Sequence, residues 1–125
     1  MEAVSQRAGP FELPYPPSVN HYWRRVGRAT LISREGRRFR KEVCSALAAR
    51  PGRDPPLAGR LAVFVKVCPP DRRRRDLDNV QKALLDALAK GGAYRDDSQI
   101  DRLVVERGPV TPGGKVLVEI TQIKP

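Results

Sequence analysis

The residues of this chain whose types and spacing best suit chemistry are two carboxylates, Asp76 and Asp78, which follow the arginine run Arg72–Arg75. Side chains alternate between two faces of an extended segment, so Asp76 and Asp78 are predicted to point the same way. Carboxylate oxygens on one face suit Mg²⁺, and guanidinium groups bind phosphate oxygens. The junction therefore indicates metal-assisted chemistry on a nucleic acid backbone.

Two further groups extend this candidate site. Lys82 follows Asp78 by four residues, so both are predicted to lie on one helical face. Asp96 and Asp97 come just after the same predicted helix, and a reversal at a glycine pair would be needed to return them to Asp76. The predicted metal ligands are Asp76, Asp78 and Asp97, and Lys82 would stabilise charge on a phosphate or orient the attacking water.

Each acid also has an ordinary structural explanation. Asp78 or Asn79 could cap a helix, Asp96 and Asp97 could belong to a turn, and Asp76 could pair with the arginines before it. A helix cap requires only one acid, however, and clustered carboxylates repel one another unless a cation neutralises them. The combination therefore favours a Mg²⁺ site over three unrelated structural roles.

Composition points to a polyanionic partner. Lys and Arg number 24 against 14 acidic residues, a net charge of +10, which favours nucleic acid. The single histidine, His21, argues against a zinc site or a histidine base, and Cys44 and Cys68 are interpreted as buried thiols. No apolar stretch approaches the roughly 20 residues of a membrane span, and the N-terminus has no signal-peptide pattern. A cytoplasmic protein without membrane contact is expected.

The elements needed to position these residues follow from hydrophobic periodicity. The expected strands cover residues 11–13, 29–32, 61–68, 100–106 and 115–123, and the expected helices run from Ser33 to Pro51 and from about Asp78 to Gly91. Residues 18–28 are expected to form a loop, and the last two strands a terminal antiparallel hairpin. This order predicts the α+β class: one compact domain over residues 10–125, in which two helices pack against a small mixed sheet. Residues 1–9 are expected to be a disordered lead-in.

Tyr22 and Trp23 lie in the predicted loop and have two interpretations. They could stack on exposed bases near a junction or single strand. They could instead cover the sheet edge or a helix, which is the somewhat more common role for such residues.

From Leu13 to Ile123 the chain resembles the RusA family of Holliday-junction resolvases. The resemblance rests on segments at Pro16–Asn20, Pro70–Lys82, Leu85–Leu88, Asp96–Ile100 and Gly113–Gly114. The block Pro70–Lys82, with a second acidic pair at this spacing, is the most specific of them.

The resemblance implies an endodeoxyribonuclease that depends on Mg²⁺ or Mn²⁺. It implies a homodimer, encoded by a bacterium or a phage, that resolves four-way DNA junctions by paired symmetric nicks during recombination and repair. The family's metal ligands correspond to Asp76, Asp78 and Asp97, and its DNA-handling or catalytic basic residues correspond to Lys82 and Arg75. The remaining arginines, Arg72–Arg74, would hold the flanking DNA backbone.

Two other functions remain open from the residues alone. One is a basic binding module without enzymatic activity, in which the acids are caps and turns. The other is a metal-dependent phosphohydrolase that acts on a small phosphate ester. A small substrate would not require a net charge of +10, and binding that collapses steeply with salt would favour a polymeric substrate.

Overall fold

The computed structural model describes residues 6–49 and 55–124, and its main element is a four-stranded sheet with the strand order β1-β6-β4-β5. The strands are β1 (Arg7–Pro14), β2 (Trp23–Val26), β3 (Ala29–Ile32), β4 (Leu61–Cys68), β5 (Ile100–Arg107) and β6 (Lys115–Gln122), and the helices are α1 (Val19–Tyr22), α2 (Arg34–Ala48) and α3 (Gln81–Lys90). β6 pairs antiparallel with β1 and β4, whereas β5 pairs parallel with β4. The predicted α+β class with a mixed sheet is confirmed.

One face of the sheet carries the core. β4 alternates between the two faces, and Leu61, Val63, Val65 and Val67 are buried on one of them. Helices α2 and α3 provide the opposing apolar side chains, Phe39, Val43, Leu47, Ala83, Leu84, Ala87 and Leu88. β4 lies inside the sheet, as its almost continuous apolar run predicts.

The predicted terminal hairpin is wrong. β5 and β6 do not pair with each other, because β4 lies between them. The connecting segment crosses the carboxyl end of β4, where the Gly108 N–H donates to the Val67 carbonyl and the Thr111 N–H to the Pro69 carbonyl, each at 2.8 Å. Alternation of apolar residues identifies a strand but not its partner. Helix α3 supplies the crossover that the parallel pair of β4 and β5 requires.

The N-terminal strand is longer than expected. β1 begins at Arg7, and Arg7 and Ala8 pair with Thr121 and Ile120 of β6. The predicted lead-in over residues 1–9 therefore extends too far, since residues 7–9 belong to the sheet. Residues 1–5 lie outside the described part of the chain.

The predicted loop at residues 18–28 has regular structure. It contains α1 and the hairpin of β2 and β3, whose turn has Gly27 at φ 59°, a left-handed conformation that favours glycine. Tyr22 is fully buried, and its ring meets the partly buried Trp23 ring edge to face with centroids 5.0 Å apart. Both rings therefore serve the protein interior, and the base-stacking interpretation is wrong for Tyr22.

Helix α2 begins as predicted. The Gly36 N–H donates to Ser33 Oγ at 2.9 Å, which confirms Ser33 as the N-cap. A Cβ on Gly36 would lie 2.6 Å from the Tyr22 carbonyl oxygen, so this glycine allows α1 to approach the helix. The helix ends at Ala48, and the predicted stop at Pro51 lies outside the described residues. Among the described helices, none is long and apolar enough to cross a membrane.

Candidate active site

The arginine run folds around an acid that sequence reasoning passed over. Asp71 lies in the bend that follows β4, and its carboxylate accepts from Arg75 Nη1 at 2.6 Å and from the Arg73 N–H at 2.9 Å. The hydrogen bond from Arg75, reinforced by that from Arg73, lowers the pKa of Asp71 to about 2. The loop therefore carries its own internal counter-ion.

Arg75 is fixed in this loop from several sides. Its guanidinium lies 5.9 Å from the centre of the Tyr15 ring, a distance at which a cation and an aromatic face attract. Its carbonyl accepts from Arg107 Nη2 at 2.8 Å, which ties the loop to the end of β5. Arg75 is thus a structural member of the loop, whereas Arg72, Arg73 and Arg74 are exposed. Those three remain predicted DNA contacts, and the DNA-binding role predicted for Arg75 is untested as well and stays a prediction.

Asp76 and Asp78 follow the loop, and both are exposed. Asp76 is extended, with φ −89° and ψ 140°, but residues Leu77–Val80 form a 3₁₀ turn ahead of α3. The alternation of an extended segment therefore does not apply to Asp78. Neither Asp78 nor Asn79 caps α3: the residue before it is Val80, without a side-chain cap.

The turn between Asp76 and α3 is anchored by its apolar and amide groups. Val80 is buried, Leu77 packs against the core, and Gln81 Nε2 donates to the Leu77 carbonyl at 3.0 Å. The carboxylates of Asp76 and Asp78 form no ion pair with a described residue. Four arginines precede these acids, but Arg75, the one that forms a close ion pair, pairs with Asp71.

Lys82 lies in the first turn of α3 and is exposed. It forms no ion pair within the described part of the chain. The role of its ammonium group towards a substrate stays a prediction.

Asp96 and Asp97 have different environments. Asp96 caps the short 3₁₀ turn Asp97–Gln99: it accepts from the Ser98 N–H at 3.1 Å, and the Gln99 side chain accepts from the Asp96 N–H at 3.0 Å. Hydrogen bonds from Ser98 hold the pKa of Asp96 below its ordinary value. Asp96 is therefore a capping residue. Asp97 is exposed, and its carboxylate has no described ion-pair partner.

Asp97 lies at the far end of the parallel strands from Asp76. It lies three residues before Ile100, which pairs with Leu61 at the start of β4, whereas Asp76 follows Arg75, whose carbonyl accepts from Arg107 at the end of β5. A strand of eight residues spans roughly 23 Å. The expected reversal that returns Asp97 to the first pair is not present in one chain, and the described residues contain no group of three acids, cysteines or histidines placed to share a metal.

A cavity of about 290 Å³ opens beside Asp76. Its wall includes Tyr15, Ser18, His21 and Asn79, and His21 Nδ1 lies 3.0 Å from Ser18 Oγ. These side chains come from the end of β1, from α1 and from the 3₁₀ turn.

Beneath the site, a charged cluster joins the three helices. Arg40 Nη2 donates to Asp86 Oδ2 at 2.7 Å and to the Tyr22 hydroxyl at 3.3 Å, and Tyr22 donates to the same carboxylate oxygen. Burial and the hydrogen bond to Asp86 raise the pKa of Tyr22 to about 12. Burial also opposes ionisation of Asp86, but the hydrogen bonds from Tyr22 and Arg40 outweigh it and hold its pKa below the ordinary value.

Sequence reasoning missed this cluster as a unit. Asp86 lies on α3 and Arg40 on α2, 46 positions apart, and Tyr22 was expected in a loop. Because Arg40 and Asp86 lie on different helices, their spacing in the sequence does not indicate that their side chains meet. The cluster fixes α3, and hence the turn that carries Asp78, against α1 and α2.

Comparison with known proteins connects this arrangement to one family. The model of the family described as "Endodeoxyribonuclease RusA" matches residues 14–121. A protein of Enterobacteria phage HK97 named "Crossover junction endodeoxyribonuclease rusA" is 44% identical over 114 residues, which cover 91% of this chain and 94% of that protein. Proteins of that name from Shigella sonnei strain Ss046 and Escherichia coli strain K12 are 42% and 41% identical over 111 residues, 89% of this chain and 92% of each relative. With its arginine loop, its exposed acids and a match over most of its length, the chain belongs to the RusA family.

Proposed function

We propose that the chain is a metal-dependent endonuclease that resolves four-way DNA junctions by paired nicks during recombination and repair in the bacterial cytoplasm. The names of its relatives and its membership of the family support the activity. One observation carries the assignment of the site: Asp76 and Asp78 are exposed and form no ion pair with a described residue, whereas Arg75 of the neighbouring arginine loop is paired with Asp71. Unpaired acids next to a phosphate-binding loop suit a divalent cation bridging protein and DNA.

The donor set fits Mg²⁺, with Mn²⁺ as a substitute. The candidate ligands Asp76, Asp78 and Asp97 are all carboxylates, the oxygen donors that these hard cations prefer. When bound, such a cation supplies a lowered pKa for water and charge stabilisation on phosphate oxygens. No covalent protein nucleophile is needed for this class of hydrolysis.

The side chains around the acids have separate tasks. Arg72, Arg73 and Arg74 extend into solvent and hold the DNA backbone through phosphate contacts. Lys82 faces no acid of its own, so its ammonium group stabilises the charge that builds on the attacked phosphate. Arg75 acts indirectly, since it holds the loop in shape through Asp71.

We place the third carboxylate in a second copy of the chain. Asp97 lies roughly 23 Å along β5 from the end that carries Asp76 in its own chain, so the three acids need a partner to meet. In a homodimer, each site would combine Asp76 and Asp78 of one protomer with the partner's Asp97. This arrangement makes cleavage depend on dimerisation and yields two symmetric sites for two nicks.

Asparagine substitutions test the acids. Asp76→Asn, Asp78→Asn and Asp97→Asn should each abolish cleavage of a synthetic four-way junction in Mg²⁺ while the protein still binds the junction in excess linear duplex. Asp96→Asn is the matched control: it removes the neighbouring negative charge and keeps a capping side chain, so cleavage should persist. Wild-type cleavage by the Asp97→Asn protein would remove Asp97 from the site.

Mixed dimers test whether the site crosses the dimer. When Asp76→Asn and Asp97→Asn chains are refolded together, a shared site predicts one intact site per mixed dimer and therefore nicking of the junction. A mixture of Asp76→Asn with Asp78→Asn chains is the control and should stay inactive, because both changes fall on the same side of each site. If the first mixture were as inactive as the second, the three acids would have to meet within one chain.

A further inference from the structure

The hairpin of β2 and β3 is a separate two-stranded ribbon outside the four-stranded sheet. Only Trp23 and Ile32, at its base, are partly buried, and the other six strand residues are exposed. Gly27 and Arg28 form an exposed turn. A Cβ on Gly27 would meet no described atom within 4 Å apart from its chain neighbours. The tip and both faces of the ribbon are therefore accessible to a binding partner.

The ribbon is basic and contains no acid. Between Glu12 and Glu35 the sequence has no acidic residue, and three arginines of this interval, Arg24, Arg25 and Arg28, lie in the ribbon. None of the three forms an ion pair with a described residue. Exposed cations without an acid beside them attract a polyanion. The charge of the ribbon therefore favours a partner that carries phosphates.

The register of the hairpin distributes the arginines over both faces. Arg24 pairs with Leu31, and Arg25 pairs with Thr30. Because successive side chains of a strand point to opposite faces, Arg24 and Arg25 point in opposite directions. Arg28 extends from the turn. The ribbon thus carries one cation on each face and one at its tip.

This distribution fits the major groove of duplex DNA. The groove is about 12 Å wide, and it admits a two-stranded β-ribbon. A ribbon that enters tip first turns one face towards each phosphate-lined wall, so Arg24 and Arg25 approach opposite rows of phosphates. Arg28 then reaches the floor of the groove, where guanine O6 and N7 accept from arginine. A single strand offers one row of phosphates and would leave one face of the ribbon without a partner.

Two apolar side chains on one face of the ribbon fit the same partner. Val26 is 46% exposed and Leu31 is 47% exposed, and the register places both on the face that carries Arg24. The major groove presents thymine C5-methyl groups beside its polar atoms. Contact with these groups would remove apolar surface from water. The ribbon therefore combines phosphate-binding and base-contacting side chains.

The ribbon begins at the wall of the candidate active site. β2 directly follows α1, and His21 of this helix lines the cavity beside Asp76, together with Ser18. Helix α1 also contacts the 3₁₀ turn that carries Asp78. A strand of four residues extends roughly 13 Å, which corresponds to about four base-pair steps. DNA bound at the acids is therefore within reach of the ribbon.

We infer that the hairpin of β2 and β3 is a DNA-binding ribbon that enters the major groove of the duplex arm next to the candidate active site. The inference rests on the proposed function and deepens it, because it assigns part of the substrate contact to residues outside the acids and the arginine loop. Affinity and its salt dependence should therefore depend on the ribbon, whereas cleavage chemistry should depend on Asp76 and Asp78.

A triple alanine variant tests the arginines of the ribbon. Arg24→Ala, Arg25→Ala and Arg28→Ala together should make the slope of log K against log salt shallower by about 3, one unit for each lost phosphate contact. The affinity for a labelled four-way junction at 0.1 M salt should fall by about a hundredfold or more. Fluorescence anisotropy without a divalent cation measures both quantities in the absence of cleavage. An unchanged slope would overturn the inference.

The corresponding lysine variant separates charge from structure. Arg24→Lys, Arg25→Lys and Arg28→Lys together keep the three charges and should return the slope to within about 1 of wild type, because counterion release depends on charge. A slope as shallow as that of the alanine variant would overturn the inference, since the ribbon would then not act through its charge.

A matched triple variant controls for net charge. Arg7→Ala, Arg38→Ala and Lys66→Ala together remove the same charge from positions that are each paired with an acid. The slope of this variant should differ from wild type by less than about 1. A change as large as that of the ribbon variant would show that net charge alone governs binding, and it would overturn the inference.

Guanine methylation tests the groove. A methyl group on guanine N7 lies in the major groove, so methylated guanines in one stretch of an arm should block binding of the wild type. The triple alanine variant of the ribbon, at a salt concentration low enough for binding, should tolerate the same methyl groups. Equal interference with both proteins, or interference with neither, would overturn the assignment to the major groove.

Cross-linking locates the ribbon on the DNA without a change of charge. Ala29→Cys, labelled with a photoreactive azide, should attach to the stretch of arm where methylation interferes. The wild type labelled at Cys44, which is partly exposed on α2, is the control and should not attach there. Attachment of both proteins to the same stretch, or of neither, would overturn the inference.

The two proposals fail differently. A protein that cuts junctions in an Asp76-dependent manner, but whose ribbon variants bind as wild type does, would refute the DNA-binding ribbon and leave the nuclease standing. A protein whose DNA binding follows the ribbon variants, but which cuts no junction, would refute the nuclease and leave the ribbon standing.

Discussion

Two groups of acidic residues in this protein have opposite environments, and comparing them separates a structural acid from the candidate metal ligands. Between the helices, Asp86 receives hydrogen bonds from both Arg40 and Tyr22 and is largely shielded. After the arginine loop, Asp76 and Asp78 are exposed without a described ion-pair partner. An acid that is already satisfied positions its neighbours, whereas an unpaired acid beside other acids is available to a cation.

The largest expected difference between the two regions is in activity. Asp78→Asn should lower the rate of junction cleavage by about a thousandfold or more, since metal-assisted charge stabilisation contributes several kcal/mol to such reactions. Its free energy of unfolding without metal should stay within about 0.5 kcal/mol of wild type, as for other exposed positions. Mg²⁺ should raise the melting temperature of wild type but not of the variant. A large loss of stability would instead indicate that Asp78 has a structural role.

The next effect is on stability. Asp86→Ala leaves the Arg40 guanidinium without its acid in a place where its side chain is only 28% exposed. Removing one partner of a largely shielded pair should lower the free energy of unfolding by about 2–3 kcal/mol, measured by urea denaturation. Glu42→Ala is the control, since it breaks an exposed pair with Arg38 and should cost less than about 0.5 kcal/mol. Equal losses in the free energy of unfolding for the two variants would show that the Arg40–Asp86 pair contributes no more to stability than an exposed pair.

Within the arginine loop, a smaller effect should separate exposed from internally paired arginines. Arg72→Ala and Arg74→Ala should each weaken junction binding and reduce the slope of log K against log salt by about 1, the value for one lost phosphate contact. Neither should change stability. Arg75→Ala should instead lower stability, because Arg75 holds Asp71 and meets Tyr15. An unchanged salt slope for all three variants would exclude this loop from the DNA interface.

The smallest effect is a titration. The hydrogen bond from Arg75 lowers the pKa of Asp71 to about 2, below the ordinary value of 3.8. Because the folded-state pKa is depressed, the stabilisation is present above the ordinary pKa and is lost as the pH falls through about 2. Carboxyl chemical shifts followed by NMR should show this midpoint for Asp71, and Arg75→Ala should move it back towards the ordinary value. A midpoint near 4 in wild type would contradict the ion pair.

Sequence patterns predicted the local elements well. The four-residue repeat of Phe39, Val43 and Leu47 and the cap at Ser33 define α2 as observed, and the alternation in β4 is confirmed. These signals are local, since period and capping depend on neighbours within a few residues. The short helix α1 was missed, because its helical state depends on burial of Tyr22 against distant parts of the chain.

The site was predicted in its residue types and only partly in its geometry. The family prediction is confirmed by the match over residues 14–121, whereas the roles of Asp76, Asp78, Asp97 and Lys82 stay predictions. Asp71 was passed over because nothing in the sequence distinguishes its carboxylate from that of Asp76 as a partner for the arginines. The hairpin prediction for β5 and β6 was wrong because alternation of apolar residues does not reveal that β4 lies between the two strands.

The sequence by itself determined the chemical inventory: acids, a lysine and an arginine run in an order specific to one family. Only the tertiary structure decided which acid is neutralised, since an ion pair depends on which groups come within about 4 Å and not on which are neighbours in the chain. The parallel pairing of β4 and β5 also decided that Asp97 lies at the opposite end of the strands from Asp76. That separation follows from the crossover through α3, because a parallel strand must restart at the end where its neighbour began.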